Sequence, residues 1–109
     1  MENNYRGDTF WRSYEVEYED KPYKFQEGDV LKVAFFDYAG NEYLPKEIIV
    51  DSEKDKIDVM WQKEEMALLN NRQYVLEVEV TTNLFRKTHQ EILDVSQDYI
   101  FSHEEGGKQ

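Results

Sequence analysis

The residues of this chain best suited to chemistry are its two histidines, His89 and His103, and the neighbouring glutamates Glu77 and Glu79. The chain has no cysteine, so a transition-metal site would need Asp or Glu ligands beside the histidines, and the spacing does not indicate one. Glu77 and Glu79 are i and i+2 on one strand face, where they stand side by side instead of flanking a substrate bond. No serine lies in a nucleophile-elbow sequence. We therefore predict no catalytic residue, no metal site and no cofactor, and that the chain is not an enzyme.

Three further motifs have both a functional and a structural interpretation. Residues 51–58, DSEKDKID, are acidic like a calcium loop but lack its glycine at the sixth position and its glutamate at the twelfth, so they would support weak, incidental binding at most. Residues 6–8, RGD, form the tripeptide that integrins bind on exposed loops, but here they directly precede a strand pattern. Gly28-Asp29 also directly precedes a strand pattern. We predict turns in both places, with glycine permitting an unusual backbone angle and aspartate accepting hydrogen bonds from nearby amides.

The charge balance of the chain restricts its partners. Among 109 residues, 24 are acidic and 13 basic, which gives a formal net charge of −11. A surface of that sign repels phosphate backbones, so we expect no nucleic acid partner. Solubility is the simplest role of the acidity, and an acidic recognition surface is the alternative.

The sequence also bears on the compartment. The first residues, MENNYRGDTFW, have no apolar core of a signal peptide, and no run of about 18 apolar residues occurs, so we expect neither a signal peptide nor a membrane span. The absence of cysteine is compatible with a reducing cytoplasm.

Period-two alternation of apolar and polar residues predicts strands along most of the chain. The predicted strands are 10–18, 30–38, 44–50, 57–61, 73–82 and 86–95, with a short terminal strand at 98–101. Their predicted inward positions include Phe10, Tyr14, Val16, Tyr18, Ile57, Val59, Trp61, Tyr74, Leu76, Val78, Val80, Leu93 and Val95. Pro45 indicates that its strand lies at a sheet edge or begins there. Residues 63–69, KEEMALL, have helical spacing but suffice only for a helical turn.

These elements lack the strand-helix alternation of a parallel sheet, so the sheets should be antiparallel. The predicted fold is all-β: an immunoglobulin-like antiparallel β-sandwich of about seven strands with one short helical turn. It should form a single domain over residues 1–101, followed by a polar, flexible tail over residues 102–109.

Leu68 and Tyr74 have the spacing of a structural corner. Tyr74 opens an alternating strand directly after a turn. In immunoglobulin-like sandwiches a tyrosine at such a corner buries its ring and hydrogen-bonds its hydroxyl to upstream backbone. We predict that Leu68 and Tyr74 are structural, and that Glu77 and Glu79 face solvent or a partner.

Several aromatic residues have no assured place in the core. They are Tyr5, Trp11, Tyr38, Tyr43 and Tyr99. Exposed aromatic rings on a sandwich can stack on sugars or anchor a protein interface, so these five are the candidate interface residues. Alternation places Trp11 on the polar face of its strand, and burial beneath a loop is the alternative for it.

The order of several motifs gives the chain a family resemblance. The motifs are Arg6-Gly7-Asp8-Thr9, Gly28-Asp29, the Glu-rich turn 64–69 ending in leucine, Tyr74 opening a strand and Thr88 leading the last main strand. In this order, over residues 5 to about 99, the chain resembles small β-sandwich proteins encoded near tail-fibre and baseplate genes of bacteriophages and prophages. It is similar in style to the N-terminal domain of baseplate upper proteins. Relatives usually have glycine before the corner tyrosine, where this chain has Asn70, Asn71 and Arg72.

The resemblance implies a non-enzymatic structural or assembly component of a phage tail or baseplate, acting through protein-protein contacts. The implied partners are other tail or baseplate proteins, with a homo-oligomer as an option and no nucleic acid or membrane. The implied location is the bacterial host cytoplasm during assembly, with the virion tail as a further candidate. A carbohydrate or host-surface binding module on the same fold is the alternative function.

Overall fold

Alternating side chains organise the chain into strands throughout the part that the computed structural model describes, residues 3–5, 9–70, 72–95 and 99–103. The strands in these residues are β1 (Asn3–Tyr5), β2 (Phe10–Tyr14), β3 (Glu17–Tyr18), β4 (Lys21–Pro22), β5 (Val30–Phe36), β6 (Glu42–Ile49), β7 (Ile57–Trp61), β8 (Arg72–Thr81), β9 (Arg86–Val95) and β10 (Tyr99–His103). One helix, α1 (Lys63–Met66), follows β7. Strands β1 and β10 are described by their backbone pairing.

The strands form two sheets and a short hairpin, and all their pairings are antiparallel. The large sheet has six strands in the order β1-β10-β9-β8-β5-β6, the small sheet pairs β2 with β7, and β3 pairs with β4. The predicted all-β antiparallel fold and the single helical turn are confirmed. The immunoglobulin-like arrangement is not confirmed, because such a sandwich divides its strands four and three rather than six and two.

Most strand boundaries lie within two residues of the prediction, and two differences change the architecture. The strand predicted over 10–18 is divided into β2 and β3, because β3 turns away to pair with β4. The terminal strand predicted at 98–101 is present as β10 and continues to His103, into the predicted tail. The rest of that tail, residues 104–109, lies outside the described residues.

The core lies between the small sheet and the large sheet and is centred on three aromatic rings. Phe10 of β2 and Trp61 of β7 lie 6.0 and 5.3 Å from the ring of Phe35 on β5, and 5.6 Å from each other, measured between ring centroids. All three are fully buried. Aromatic pairs at these separations contribute about 0.5–1.5 kcal/mol beyond the burial of their surface. The arrangement is sandwich-like, with two layers of unequal size.

Strand β6 is one of the two edges of the large sheet, and an edge position is one of the two that Pro45 predicts. The register of β5 against β6 shifts between Val33 and Phe35, and Leu44 has a positive φ of 54° at this irregularity. Such bulges redirect backbone groups at sheet edges. Here the Leu44 carbonyl oxygen accepts a hydrogen bond from the indole nitrogen of Trp61 at 3.0 Å. The bulge therefore ties the edge of the large sheet to the small sheet.

Gly28-Asp29 forms the turn predicted before β5. Gly28 has a φ of 94°, in the region that favours glycine. The buried Asp29 carboxylate accepts a hydrogen bond from the Gln26 backbone N–H at 2.9 Å and another from the Tyr23 hydroxyl at 2.7 Å. The comparable prediction for residues 6–8 lies outside the described residues.

The corner before β8 uses Tyr74 as predicted but a different leucine. Tyr74 is fully buried, and its hydroxyl oxygen accepts a hydrogen bond from the Asn70 backbone N–H at 2.9 Å. Leu68 is 69% exposed, whereas Leu69 is 1% exposed, so the structural role assigned to Leu68 is wrong. The chain continues to coil after α1, and residues three apart share a helical face, which places Leu69 on the same buried side as Met66.

Replacing each of the adjacent leucines by alanine tests this correction. Leu69→Ala should lower the free energy of unfolding by about 2–5 kcal/mol, as expected for a leucine truncated in a core. Leu68→Ala should change it by less than about 0.5 kcal/mol, since surface substitutions have small effects. Urea denaturation followed by circular dichroism measures both. A larger loss for Leu68→Ala would contradict the assignment.

Tyr74→Phe tests the corner hydrogen bond. The substitution keeps the ring but removes the acceptor of the Asn70 N–H, and we expect the free energy of unfolding to fall by about 1 kcal/mol. Tyr38→Phe, at a tyrosine that is 70% exposed, is the matched control. A change below about 0.5 kcal/mol for Tyr74→Phe would show that the hydrogen bond does not stabilise the fold.

Candidate functional site

The outer surface of the small sheet carries a pair of exposed apolar side chains. Trp11 on β2 lies directly opposite Met60 on β7 in the strand register, and each is 53% exposed. Alternation explains their position, because the flanking residues Phe10, Val59 and Trp61 are buried on the inner side. We call the surface formed by Trp11 and Met60 the Trp11–Met60 face.

Polar side chains border the Trp11–Met60 face. The next pair in the register is Ser13 and Asp58, whose side chains are joined by a hydrogen bond that the serine hydroxyl donates. On the other side, the Gln62 amide contacts the Met60 sulfur at 3.6 Å. An apolar centre with a polar rim is the usual composition of a protein interface.

Arg12 fixes the strand that presents Trp11. Its guanidinium donates two hydrogen bonds to the Glu91 carboxylate on β9, at 3.1 and 2.9 Å, and lies 4.5 Å from the centroid of the Phe10 ring. It also donates to the Trp11 carbonyl oxygen at 3.2 Å. Bidentate arginine-carboxylate pairs are geometrically specific, so β2 is anchored to the large sheet and Trp11 projects from a fixed backbone.

The structure separates the other predicted interface residues from Trp11. Tyr38 is exposed in the turn between β5 and β6, where its hydroxyl donates to the side chain of Gln73. Tyr5 and Tyr99 pair with each other across β1 and β10, and their side chains lie outside what the structure describes. Of the five candidates, Trp11 and Tyr38 are therefore the two placed as exposed rings, and Trp11 lies in the small sheet whereas Tyr38 lies in the turn between β5 and β6.

Tyr43 is a structural residue, which corrects its prediction as an interface residue. Its ring packs edge-on against Tyr74, with centroids 5.5 Å apart, and its hydroxyl donates to Asp37 at 2.8 Å. The β6 alternation turns this ring towards the core, where it is only partly exposed.

Asp37 holds the turn between β5 and β6. Its buried carboxylate accepts hydrogen bonds from the backbone N–H of Asn41 at 2.9 Å and of Ala39 at 3.0 Å, as well as from Tyr43. The Asn41 N–H is the largest cause that lowers the pKa of Asp37, followed by the Tyr43 hydroxyl, the Asn41 side-chain amide and the Ala39 N–H. Burial acts in the opposite direction, and the net change is from 3.8 to about 2. The lowered pKa of Asp37 therefore results from the hydrogen bonds by which its carboxylate stabilises the turn.

A cleft opens between β2 and the inner surface of β9. By register, Lys87, His89 and Glu91 lie opposite Val80, Val78 and Leu76 of β8 and therefore share the inner side of the large sheet. The small sheet has only two strands and leaves this part of the inner side uncovered. The result is a cleft of about 480 Å³, which we call the β9 cleft.

Tyr14 is the aromatic residue that lines the β9 cleft. Burial raises the pKa of its hydroxyl, the nearby Glu91 carboxylate raises it further, and Arg12 lowers it. The hydroxyl therefore remains protonated at neutral pH and can both donate and accept a hydrogen bond.

Glu77 and Glu79 lie on the outward side of the large sheet, beside a shallow depression over Ala34. The Glu77 carboxylate accepts a hydrogen bond from Gln90 at 2.9 Å, and Glu79 pairs with Arg86 at 3.1 Å. Both are thus cross-strand partners of β9 residues.

The remaining chemistry-bearing residues do not converge. His89 is exposed on β9 and His103 lies in β10. Within the described ranges, no group of three or more His, Cys, Asp or Glu residues is arranged to hold a metal ion. The helix that the structure describes, α1, is too short and polar to cross a membrane.

Sequence reasoning found Trp11 but missed Met60 and the β9 cleft. The signal in the sequence that could have identified Met60 is the alternation within IDVMW, which places Met60 on the polar side of its strand. Its position opposite Trp11 follows from the pairing of β2 with β7, two strands separated by 42 residues of intervening sequence (15–56).

Comparison with known proteins adds no relative. No protein-family model, curated protein or solved structure matches the chain. Nothing in these comparisons links the chain to phage baseplate proteins, so that resemblance stays a prediction.

The titration of Asp37 gives a pH-dependent prediction. Because its pKa is lower in the folded state than the ordinary value of 3.8, the stabilisation is fully present above pH 3.8 and is lost as the pH falls towards about 2. Asp37→Asn should therefore lower stability at pH 7 and reduce the loss of stability between about pH 4 and 2. Urea denaturation at a series of pH values measures the difference.

Asp20→Asn is the matched control, since it removes the same charge from an exposed turn. It should leave the acid dependence of stability close to that of the wild type. Equal acid dependence in the Asp37→Asn variant and the wild type would contradict the role of the Asp37 carboxylate.

Proposed function

We propose that this chain is a non-enzymatic structural module that self-assembles through the Trp11–Met60 face and serves in a bacteriophage tail or baseplate. The observation that carries the assembly role is the direct cross-strand pairing of two apolar side chains that are each more than half exposed. Exposed apolar surface bordered by polar groups is typical of interaction sites.

The residue types of the face suit a protein interface. Tryptophan is enriched among the residues that dominate binding energies, and tryptophan and methionine are both enriched at interfaces relative to the rest of the surface. Trp11 also projects from a strand that Arg12 anchors, so little conformational freedom would be lost on binding.

A second copy of the chain is the occupant that fits this face. In a two-fold interface the same patch of both copies meets, so a contact between one residue of the first copy and another of the second copy occurs twice. Trp11 and Met60 are adjacent, and a two-fold axis between them would place each tryptophan on the other copy's methionine. Apart from Asp58, the residues that form and border the face are uncharged.

The charge of the chain opposes this association at long range. Two copies that each carry a formal charge of −11 repel each other, and salt screens that repulsion over about 10 Å at 0.1 M. Self-association through an apolar face should therefore strengthen as the salt concentration rises.

The phage setting is supported by the resemblance of the ordered motifs. In that setting the partners are other tail or baseplate proteins, and the chain is located in the bacterial host cytoplasm during assembly and then in the virion tail. Sugar stacking on Trp11 is less well supported, because its cross-strand neighbour is Met60 and Tyr38, the other exposed ring among the candidate interface residues, lies in the turn between β5 and β6.

Sedimentation velocity over a concentration series tests self-assembly. We expect a defined oligomer, and its dissociation constant should decrease when the salt concentration is raised from about 0.05 to 0.5 M. Trp11→Ala should weaken association by tenfold or more, because interface tryptophans commonly contribute about 2 kcal/mol or more. Met60→Ala should weaken it in the same direction.

Leu84→Ala is the matched control, since Leu84 is also an exposed apolar residue but lies in the turn between β8 and β9. It should leave the oligomer unchanged. A monomer at every concentration and salt condition, or equal association of Trp11→Ala and Leu84→Ala, would overturn the proposal.

A further inference from the structure

Met60 carries a sulfur atom that reagents in solution can reach. The sequence contains three methionines, Met1, Met60 and Met66, and no cysteine, so thioethers rather than thiols are the sulfur groups that a peroxide would attack. Met60 is 53% exposed on the outer side of β7, whereas Met66 is fully buried in the core. Exposure therefore distinguishes these two methionines as targets of oxidation.

A hydrogen-bond donor lies beside the Met60 sulfur. The side-chain amide of Gln62 donates to Sδ of Met60 at 3.6 Å. The backbone N–H of Gln62 donates in turn to the Glu65 carboxylate at 2.8 Å, in the capping box of α1, so this amide extends from a fixed backbone. A thioether sulfur is only a weak acceptor, whereas a sulfoxide oxygen is a strong one. The same amide would therefore stabilise the oxidised side chain.

The reaction of this thioether with hydrogen peroxide needs no catalytic group. A lone pair of the sulfur attacks one peroxide oxygen, and the S–O bond forms as the O–O bond breaks. After proton transfer the second oxygen leaves as water. The sulfur is oxidised by two electrons and the peroxide is reduced by two, which gives methionine sulfoxide. The product is polar and chiral where the thioether was apolar.

Oxidation of Met60 would change the composition of the Trp11–Met60 face. Met60 lies directly opposite Trp11 in the strand register, and a two-fold arrangement would bring each methionine against the other copy's tryptophan. Burying a sulfoxide oxygen in that apolar centre would cost free energy, because the oxygen would lose its water. Association in turn would cover the sulfur and exclude peroxide from it. Oxidation and self-association therefore oppose each other.

We propose that Met60 is a site of reversible modification by peroxide, and that its sulfoxide opposes self-association through the Trp11–Met60 face. The regulatory part rests on the proposed self-assembly. The selectivity of the modification does not, because it depends on the exposure of Met60 in the free chain. Peroxide oxidises the free chain, which exchanges with the oligomer.

Peptide mapping by mass spectrometry after treatment with hydrogen peroxide tests the modification site. Trypsin places Met60 and Met66 in separate peptides, residues 57–63 and 64–72. In the folded chain at low protein concentration, Met60 should be oxidised at least about tenfold faster than Met66, because peroxide reaches Met66 only when the core opens. In denaturant the two rates should converge. Equal rates in the folded chain would overturn the site.

Sedimentation velocity of the same samples tests the regulation. Oxidation of Met60 should raise the dissociation constant of the oligomer by about tenfold or more, since a polar group enters an apolar interface. Treatment with the two epimer-specific methionine sulfoxide reductases and dithiothreitol should restore the original value. In that step the dithiol becomes a disulfide and the sulfoxide oxygen leaves as water. An unchanged dissociation constant with Met60 fully oxidised would overturn the regulation.

Two leucine variants assign the response to one sulfur. Met60→Leu has no sulfur at this position, so its dissociation constant should be the same before and after peroxide, whatever its starting value. Met66→Leu is the matched control, a volume-conserving core substitution that should keep the peroxide response of the wild type. A response that persists in Met60→Leu would arise from Met1 or Trp11 and would overturn the proposal.

The two proposals can fail separately. An untreated chain that is a monomer at every concentration would overturn the self-assembly and the regulation together, while peptide mapping would still decide whether Met60 is the modification site. An oligomer that ignores peroxide would overturn the regulation and leave the self-assembly standing.

Discussion

The contact of Trp61 with both sheets is the interaction on which the rest of this structure depends. Its ring packs against Phe10 and Phe35, and fully burying a large apolar side chain contributes about 1.5–3 kcal/mol. The indole N–H could not be buried there without an acceptor, since an unpaired buried donor costs about 1–3 kcal/mol. The Leu44 carbonyl is that acceptor, and the left-handed backbone at Leu44 accompanies this bond. The edge bulge and the closure of the core are therefore coupled.

The unequal size of the two sheets accounts for both the Trp11–Met60 face and the β9 cleft. A two-stranded layer has one buried side and one outer side, and its outer side carries Trp11 and Met60. The same layer is too narrow to cover the whole inner side of β9, which leaves Lys87 and His89 exposed, although Val78 and Val80 opposite them are buried. The Arg12–Glu91 pair lies between these two surfaces and fixes β2 at the mouth of the cleft.

Alternation predicted the strands and their faces because each strand has one side in the core. The inward positions of β7, β8 and the end of β9 were all identified this way, as was Tyr74 at the corner. Alternation does not predict which side chains are buried where the chain is not a strand. Leu68 and Leu69 are adjacent, and the helical coiling after α1 decides which of them is buried. Local alternation also does not reveal that Tyr43 is structural, because its contacts with Tyr74 and Asp37 are made to other elements.

The sequence by itself determined the all-β class, the antiparallel pairing, the position of most strands and the side of its strand on which Trp11 lies. These features depend on local periodicity and on turn residues such as Gly28 and Asp29, which act over a few positions. Only the tertiary structure decided that Trp11 is exposed beside Met60, that Glu91 holds Arg12 and that the inner side of β9 is uncovered at Lys87 and His89. Each of these results from the pairing or packing of strands far apart in the chain, and the free energy of such contacts depends on which strands become neighbours rather than on any local pattern.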